Sequence, residues 1–125
     1  MKIVFDTYAW IEYFIGSKKG KVVADYLENN EIFTPLVVLL ELSYKSDKEG
    51  WDLSNYLDFI KHRSNIVGIN EDFVLSFGRT YNKMKKKVRD IGFVDVVILV
   101  TSLKGGAKIL TGDSHFSGVE NAIIL

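Results

Sequence analysis

The sequence predicts an α/β fold, a three-layer α/β/α sandwich around a central parallel sheet, and three observations predict it. Short apolar runs alternate along the chain with longer segments of helical period, the pattern of strands joined by crossover helices. The runs Lys2–Phe5 and Ala107–Thr111 are short, mainly apolar and each followed by a carboxylate or a turn, as buried strands are. A single proline and the lack of Ser/Gly tracts leave no linker at which to divide the chain, so residues 1–125 read as one domain.

Taken in order, Lys2 to Phe5 is the first strand, ending at Asp6. Thr7 is placed as the cap of a short helix, Tyr8 to Ile15, with Trp10, Ile11 and Phe14 turned inward. Gly16 breaks it. Ser17 to Asn29 reads as a second helix with Val22, Val23, Tyr26 and Leu27 on one face, ended by Asn29-Asn30. Glu31-Ile32-Phe33 is the second strand. Thr34-Pro35 supplies an N-cap followed by proline at the first helical position. The helix it opens runs from Leu36 to about Ser46, ahead of a polar break at Asp47 to Gly50. Asp52 to His62 spaces Leu53, Tyr56, Leu57 and Ile60 at helical intervals. Asn65 to Ile69 is the third strand. Glu71 to about Val88 is a helix burying Phe73, Val74, Phe77, Tyr81 and Met84, with a basic end formed by Lys83, Lys85, Lys86, Lys87 and Arg89. Asp95 then heads a helix that is apolar on every side, and such a helix is normally buried. The chain turns at Gly105-Gly106, and the strand Ala107 to Thr111 leads to Asp113. Asn121 to Leu125 is the last short strand.

Composition narrows the function. At 125 residues and 47% hydrophobic, the chain can bury roughly two-thirds of its unfolded surface without a metal or disulfide to hold it together. The absence of cysteine excludes a disulfide framework, a Cys-type zinc site and thiol catalysis. Lys plus Arg equals Asp plus Glu at 16 each, so overall charge does not advertise a nucleic-acid binder. No apolar run approaches the ~20 residues of a membrane span, and Lys2 and Asp6 bring charge too early for a signal segment. A soluble, cytoplasmic protein is expected.

Four acids stand where the pattern does not want them: Asp6, Glu41, Asp95 and Asp113 each interrupt or end an apolar segment. Buried carboxylates are costly unless paired or coordinated, and no Lys or Arg lies beside these within the same apolar runs. Crowding them raises their pKa values, and a divalent cation removes the penalty. Oxygen ligands suit Mg²⁺ or Mn²⁺. His62 and His115 are too few and too far apart for a usual zinc set. In parallel α/β folds, ligands bind outside the carboxyl ends of the strands, so Asp6 and Asp113 share one rim if their strands are neighbours. Each acid also has an ordinary reading. Asp6 could start a turn, Asp113 could head an Asx-turn in Gly112-Asp113-Ser114, and Asp95 could complement a helix dipole. Glu41 lies about two turns into its helix, beyond that dipole's reach, where the ordinary reading is a snorkelling or salt-bridged side chain. Four such exceptions together favour a metal site.

The pieces Ile3-Val4-Phe5-Asp6-Thr7, Pro35 to Leu42 with Glu41, Phe93-Val94-Asp95-Val96-Val97-Ile98, and Ile109-Leu110-Thr111-Gly112-Asp113-Ser114-His115-Phe116 occur in this order across essentially the whole chain. In these motifs the sequence resembles a PIN domain, particularly the small single-domain ribonucleases of the VapC type. The resemblance implies Mg²⁺ or Mn²⁺ bound by Asp6, Asp95 and Asp113, directly or through water, with Glu41 a further ligand or a base for water. It implies hydrolysis of RNA phosphodiester bonds, since a metal lowers the pKa of bound water and offsets charge on the leaving oxygen. Thr7 and Thr111 become hydroxyls that orient the carboxylates, with a helix cap and a strand-end residue as their plain alternatives. It also implies a homodimer, and a cognate antitoxin whose tail covers the acidic pocket. The chain departs from many relatives in carrying Val96, Val97, Ile98 and Leu99 where small residues are common, a difference of packing rather than chemistry.

Other features have two readings each. Lys83, Lys85, Lys86, Lys87 and Arg89 are either contacts for RNA phosphates or a solvated helix face. Tyr8, Trp10, Tyr13 and Phe14 include a base-stacking platform or belong to the core. Phe116 is expected in the core, His115 at the site's periphery and Asp90 in a loop. The expected function is a metal-dependent endoribonuclease acting as the toxin of a toxin–antitoxin pair. The alternatives are a PIN nuclease of RNA processing or turnover, and a non-catalytic module with a PIN-like fold. Phosphotransfer domains need a second acid where Tyr8 stands.

Overall fold

Ile3, Val4 and Phe5 are consecutive and all buried, as are Ile109, Leu110 and Thr111. Successive side chains of a strand point to opposite faces, so such strands must be covered on both sides. The computed structural model, which describes residues 1–125, shows how. The elements in order are β1 (Lys2–Phe5), α1 (Thr7–Ile15), α2 (Lys18–Asn29), β2 (Glu31–Pro35), α3 (Leu36–Glu49), α4 (Ser54–Arg63), β3 (Asn65–Val67), α5 (Glu71–Lys87), α6 (Phe93–Gly105), β4 (Lys108–Thr111), a 3₁₀ turn (Ser114–Phe116) and β5 (Ala122–Ile124). The strands form one parallel sheet in the order β3-β2-β1-β4-β5, flanked by the six helices as an α/β/α sandwich. The chain works outward from β1 to β3 on one side and returns to β4 on the other. The β1–β4 boundary is therefore the switch point at which ligands of such folds bind.

The predicted elements are all present, with local differences. The cap of α1 is Asp6 rather than Thr7, its carboxylate accepting from Ala9 N at 2.8 Å. Thr34 does not cap α3: strand β2 continues through Pro35, and the buried Thr34 hydroxyl accepts from Trp10 Nε1 at 3.1 Å and pairs with Ser64 Oγ at 2.8 Å. Helix α3 runs through the predicted polar break to Glu49 and ends at Gly50, whose φ of 80° suits glycine. The polar residues of that last turn are mostly exposed, so nothing opposes helix there. Val22 and Val74 are exposed rather than buried. Helix α2 buries the predicted Val23 and Leu27, together with Gly20. A Cβ on Gly20 would lie 2.0 Å from the backbone oxygen of Glu12, so the α1–α2 hairpin closes on a bare glycine.

Helix α6 is buried continuously from Val96 to Ser102, as its all-round apolar sequence predicts. Trp10 packs against Phe5, Tyr13, Phe14 and Phe59 and is fully buried. Trp10, Tyr13 and Phe14 are therefore core aromatics and not a base-stacking platform.

Candidate metal centre

In the register of β1 and β4, Phe5 lies opposite Leu110, and the Asp6 amide donates to Leu110 O at 3.4 Å. The two strands thus deliver Asp6 and the loop after Thr111 to the same rim. A cleft of about 400 Å³ opens there, and Asp6, Glu41, Asp95 and Asp113 all line it.

Each acid is fixed locally by a hydrogen bond that its own segment supplies. Asp6 caps α1. Asp95, in the first turn of α6, accepts from Gly92 N at 3.0 Å. Asp113 caps the 3₁₀ turn, accepting from His115 N at 2.9 Å, while its own amide donates to Thr111 Oγ1 at 2.9 Å. Glu41 accepts from the Thr7 hydroxyl at 2.5 Å. The ordinary readings of Asp6, Asp95 and Asp113 as caps and turn heads therefore hold in the geometry. They do not compete with a place in the cleft, because a carboxylate with one anchored oxygen keeps acceptor capacity to spare. Glu41 is held by a threonine and makes no salt bridge.

Burial pushes the Asp6 carboxyl up from 3.8 to about 7. The Thr111 hydroxyl and the Ala9 amide partly offset this, and the charges of Asp113 and Glu41 add to it. Asp95 is also raised, first by burial and then by Asp113, with the Gly92 amide and the nearby His115 imidazole pulling the other way. Burial thus disfavours the charged forms of Asp6 and Asp95, and a bound cation would offset that.

Sequence reasoning missed five lining residues and misplaced a sixth group. Tyr8, Ile11 and Glu12, on α1, and Ile98, on α6, line the cleft. So does Lys45, one turn after Glu41 on α3, which makes no ion pair with any acid. The spacings Tyr8–Glu12, Glu41–Lys45 and Asp95–Ile98 are the i+3 and i+4 intervals that share a helix face, and this was the available signal. Tyr8 is packed so closely on Gly112 that a Cβ there would lie 2.0 Å from the ring.

His115 is not peripheral. Its Nδ1 lies 3.2 Å from Asp113 Oδ1 and 3.4 Å from Asp95 Oδ2, is shielded from solvent, and makes no hydrogen bond. Asp95, Asp113 and His115 each offer a ligand atom within 4.8 Å of the others. His62 is remote from them on α4, with Nδ1 2.8 Å from Asp58 O. Lys83, Lys85, Lys86, Lys87 and Arg89 are exposed around the end of α5, and none lines the cleft. Converging carboxylates, two of them raised in pKa, and an orphaned imidazole nitrogen fit a divalent cation.

The family model of the PIN domain matches residues 3–122. A comparison with curated proteins found no match. Among solved structures, VapBC2 from Rickettsia felis, bound to a DNA fragment from the promoter, superposes with a TM-score of 0.78 at 21% identity, covering 100% of this chain and 98% of that one. VapBC-1 from nontypeable Haemophilus influenzae gives 0.74 at 21% identity, covering 100% and 97%. VapC20 from Mycobacterium tuberculosis, described as a sarcin-ricin-loop-cleaving toxin, gives 0.69 at 13% identity, covering 95% of each chain.

Proposed function

Since this chain belongs to the PIN domain family, we propose that residues 1–125 form one PIN domain and act as a metal-dependent endoribonuclease, the toxin of a toxin–antitoxin pair. The observation that carries the proposal is the convergence of Asp6, Glu41, Asp95 and Asp113 on one cleft at the switch point of the sheet.

Asp6, Asp95 and Asp113 would hold Mg²⁺ or Mn²⁺, with Glu41 at the edge of the set. When bound, the ion supplies Lewis acidity and a water of lowered pKa. The chain's own residues do the rest. Glu41, oriented by Thr7, positions a water and accepts its proton as that water attacks phosphorus, the bond from phosphorus to one ribose oxygen breaks, and that oxygen leaves as a hydroxyl with a proton taken from solvent. Thr111 accepts from the Asp113 amide and its hydroxyl favours the charged form of Asp6, so one strand-end residue serves both carboxylates. Lys45 is the cation in the cleft free to meet a phosphate oxygen. The basic end of α5 is a weaker contact for more distant phosphates.

The toxin role is supported by similarity to the VapBC and VapC structures, and it brings a cognate antitoxin, a homodimer and a cytoplasmic site of action into the proposal. Leu36, Leu40 and Tyr44 form an exposed apolar stripe on α3, surface that such partners would cover. No helix is long and apolar enough to cross a membrane.

Cleavage of total RNA, mapped with Mg²⁺, Mn²⁺ or EDTA, tests the activity. Asp6→Asn and Asp95→Asn should abolish cleavage with circular dichroism nearly unchanged, and full activity in both would refute the assignment. Expression with and without the adjacent reading frame tests the toxin role. Growth unaffected in both cases would leave a nuclease that is not a toxin.

A further inference from the structure

We infer that His115 is itself a ligand of the divalent ion, through Nδ1, and that this nitrogen makes the centre one for Mn²⁺ in preference to Mg²⁺. The inference rests on the proposal above that the cleft is a metal centre, and adds to it a ligand and a selectivity.

A nitrogen without a partner carries it. His115 Nδ1 is buried without a hydrogen bond, an arrangement that costs free energy unless something else satisfies the atom. Two carboxylate oxygens lie 3.2 and 3.4 Å away, neither in hydrogen-bonding geometry. Ligand atoms ~2.1 Å from one ion and at right angles to each other sit about 3 Å apart, so these separations match neighbouring vertices of one coordination shell.

The surroundings hold the ring there. Asp113 accepts from the backbone amide of His115 itself, which locks the two side chains into one turn. The next residue, Phe116, is buried in the core and anchors that turn from below. As a ligand the ring would carry its proton on Nε2 and present a lone pair at Nδ1.

Chemistry sets the selectivity. Mg²⁺ demands oxygen and keeps much of its water. An imidazole moves a site toward first-row transition ions, and Mn²⁺ is the one that carboxylates also suit. The rival account is that His115 is merely a counter-ion between Asp95 and Asp113. In that case no nitrogen bonds to the metal, and losing His115 alters affinity for both ions alike.

Pulsed electron paramagnetic resonance of the Mn²⁺-loaded protein reads the ligand directly. Nitrogen modulation from one coordinated imidazole is expected, lost in His115→Ala and kept in His62→Ala. Calorimetry with Mn²⁺ and Mg²⁺ reads the selectivity. His115→Ala should weaken Mn²⁺ by at least the ~10-fold that even outer-shell partners typically cost, with Mg²⁺ nearly unchanged. His115→Asn, which offers an amide oxygen about where Nδ1 stood, should shift the preference toward Mg²⁺. Thermal melting checks that both variants fold. Absence of nitrogen modulation, or equal loss for the two ions, overturns the inference, as does failure of the wild type to bind either ion. Nitrogen coupling without RNA cleavage would sink the nuclease proposal and leave this one standing. Cleavage without nitrogen coupling would do the reverse.

Discussion

Replacing Asp6 with asparagine should stabilise the metal-free protein while destroying its activity, and the size of the gain should track pH. Asp6 is buried, and its folded-state pKa of about 7 lies above the ordinary 3.8. The folded chain therefore binds more protons than the unfolded chain across that interval, and stability falls as pH rises through it. The interval is roughly three pKa units, and at about 1.36 kcal/mol per unit the ionised carboxylate opposes folding by about 4 kcal/mol above neutrality. At pH 5 the same linkage leaves under ~2 kcal/mol, and below the ordinary carboxylate range it vanishes. Asparagine is as good an N-cap as aspartate, so the hydrogen bond from Ala9 is retained. Melting followed by calorimetry in EDTA should therefore show Asp6→Asn above wild type by on the order of 10 °C at pH 8, with the curves converging as pH is lowered. Saturating Mn²⁺ should raise the wild type and leave the variant behind, because only an ion-binding native state is stabilised by mass action. A variant less stable than wild type at pH 8 in EDTA would refute the reasoning, since it would mean that Asp6 is not held against its charge.

Two further predictions follow from the same geometry. Lys45→Ala should raise KM for RNA with little change in kcat, and lower the salt slope of binding by about one, as loss of a single phosphate contact does; an unchanged slope would remove Lys45 from the substrate path. Gly20→Ala should destabilise the fold by roughly 1–3 kcal/mol in urea titrations, because the added methyl meets the backbone of Glu12 and this outweighs the helix propensity it gains, while the folded fraction stays active.

What could be read from the chain beforehand was whatever one short window contains. The alternation of strand and helix was visible, and so was the sandwich, because buried strands and the apolar helix Phe93–Gly105 have one-dimensional signatures. The acids Asp6, Glu41, Asp95 and Asp113 stood out because each breaks an apolar run, and the sheet brings all four to one cleft. His115 was placed only at the site's edge, since a histidine in a polar turn is unremarkable until the register of β4 sets it against Asp95, twenty residues away. Lys45 and Glu12 were hidden for a similar reason: charged residues on partly exposed helices look solvated unless the facing element is known. The choice of Asp6 over Thr7 as cap follows the higher capping preference of aspartate, which the sequence did offer; what it did not show is that the Thr7 hydroxyl is engaged by Glu41. Val74 failed as a core residue because the apolar face of α5 is wider than the core it meets, and the surplus lines an exposed groove with Ile69 and Phe93.

The three aspartates that anchor helical starts in this protein, Asp6 and Asp113 as N-caps and Asp95 by accepting from the Gly92 amide, have a consequence for its descendants. A neutral asparagine keeps an acceptor oxygen at each of these places, so the charges at positions 6, 95 and 113 are not required by the architecture that holds them. A lineage could therefore lose its chemistry one carboxylate at a time and still inherit an intact, even sturdier, scaffold. Silent copies of this molecule should differ from working ones by single-atom exchanges at these helix starts, with no trace of structural decay.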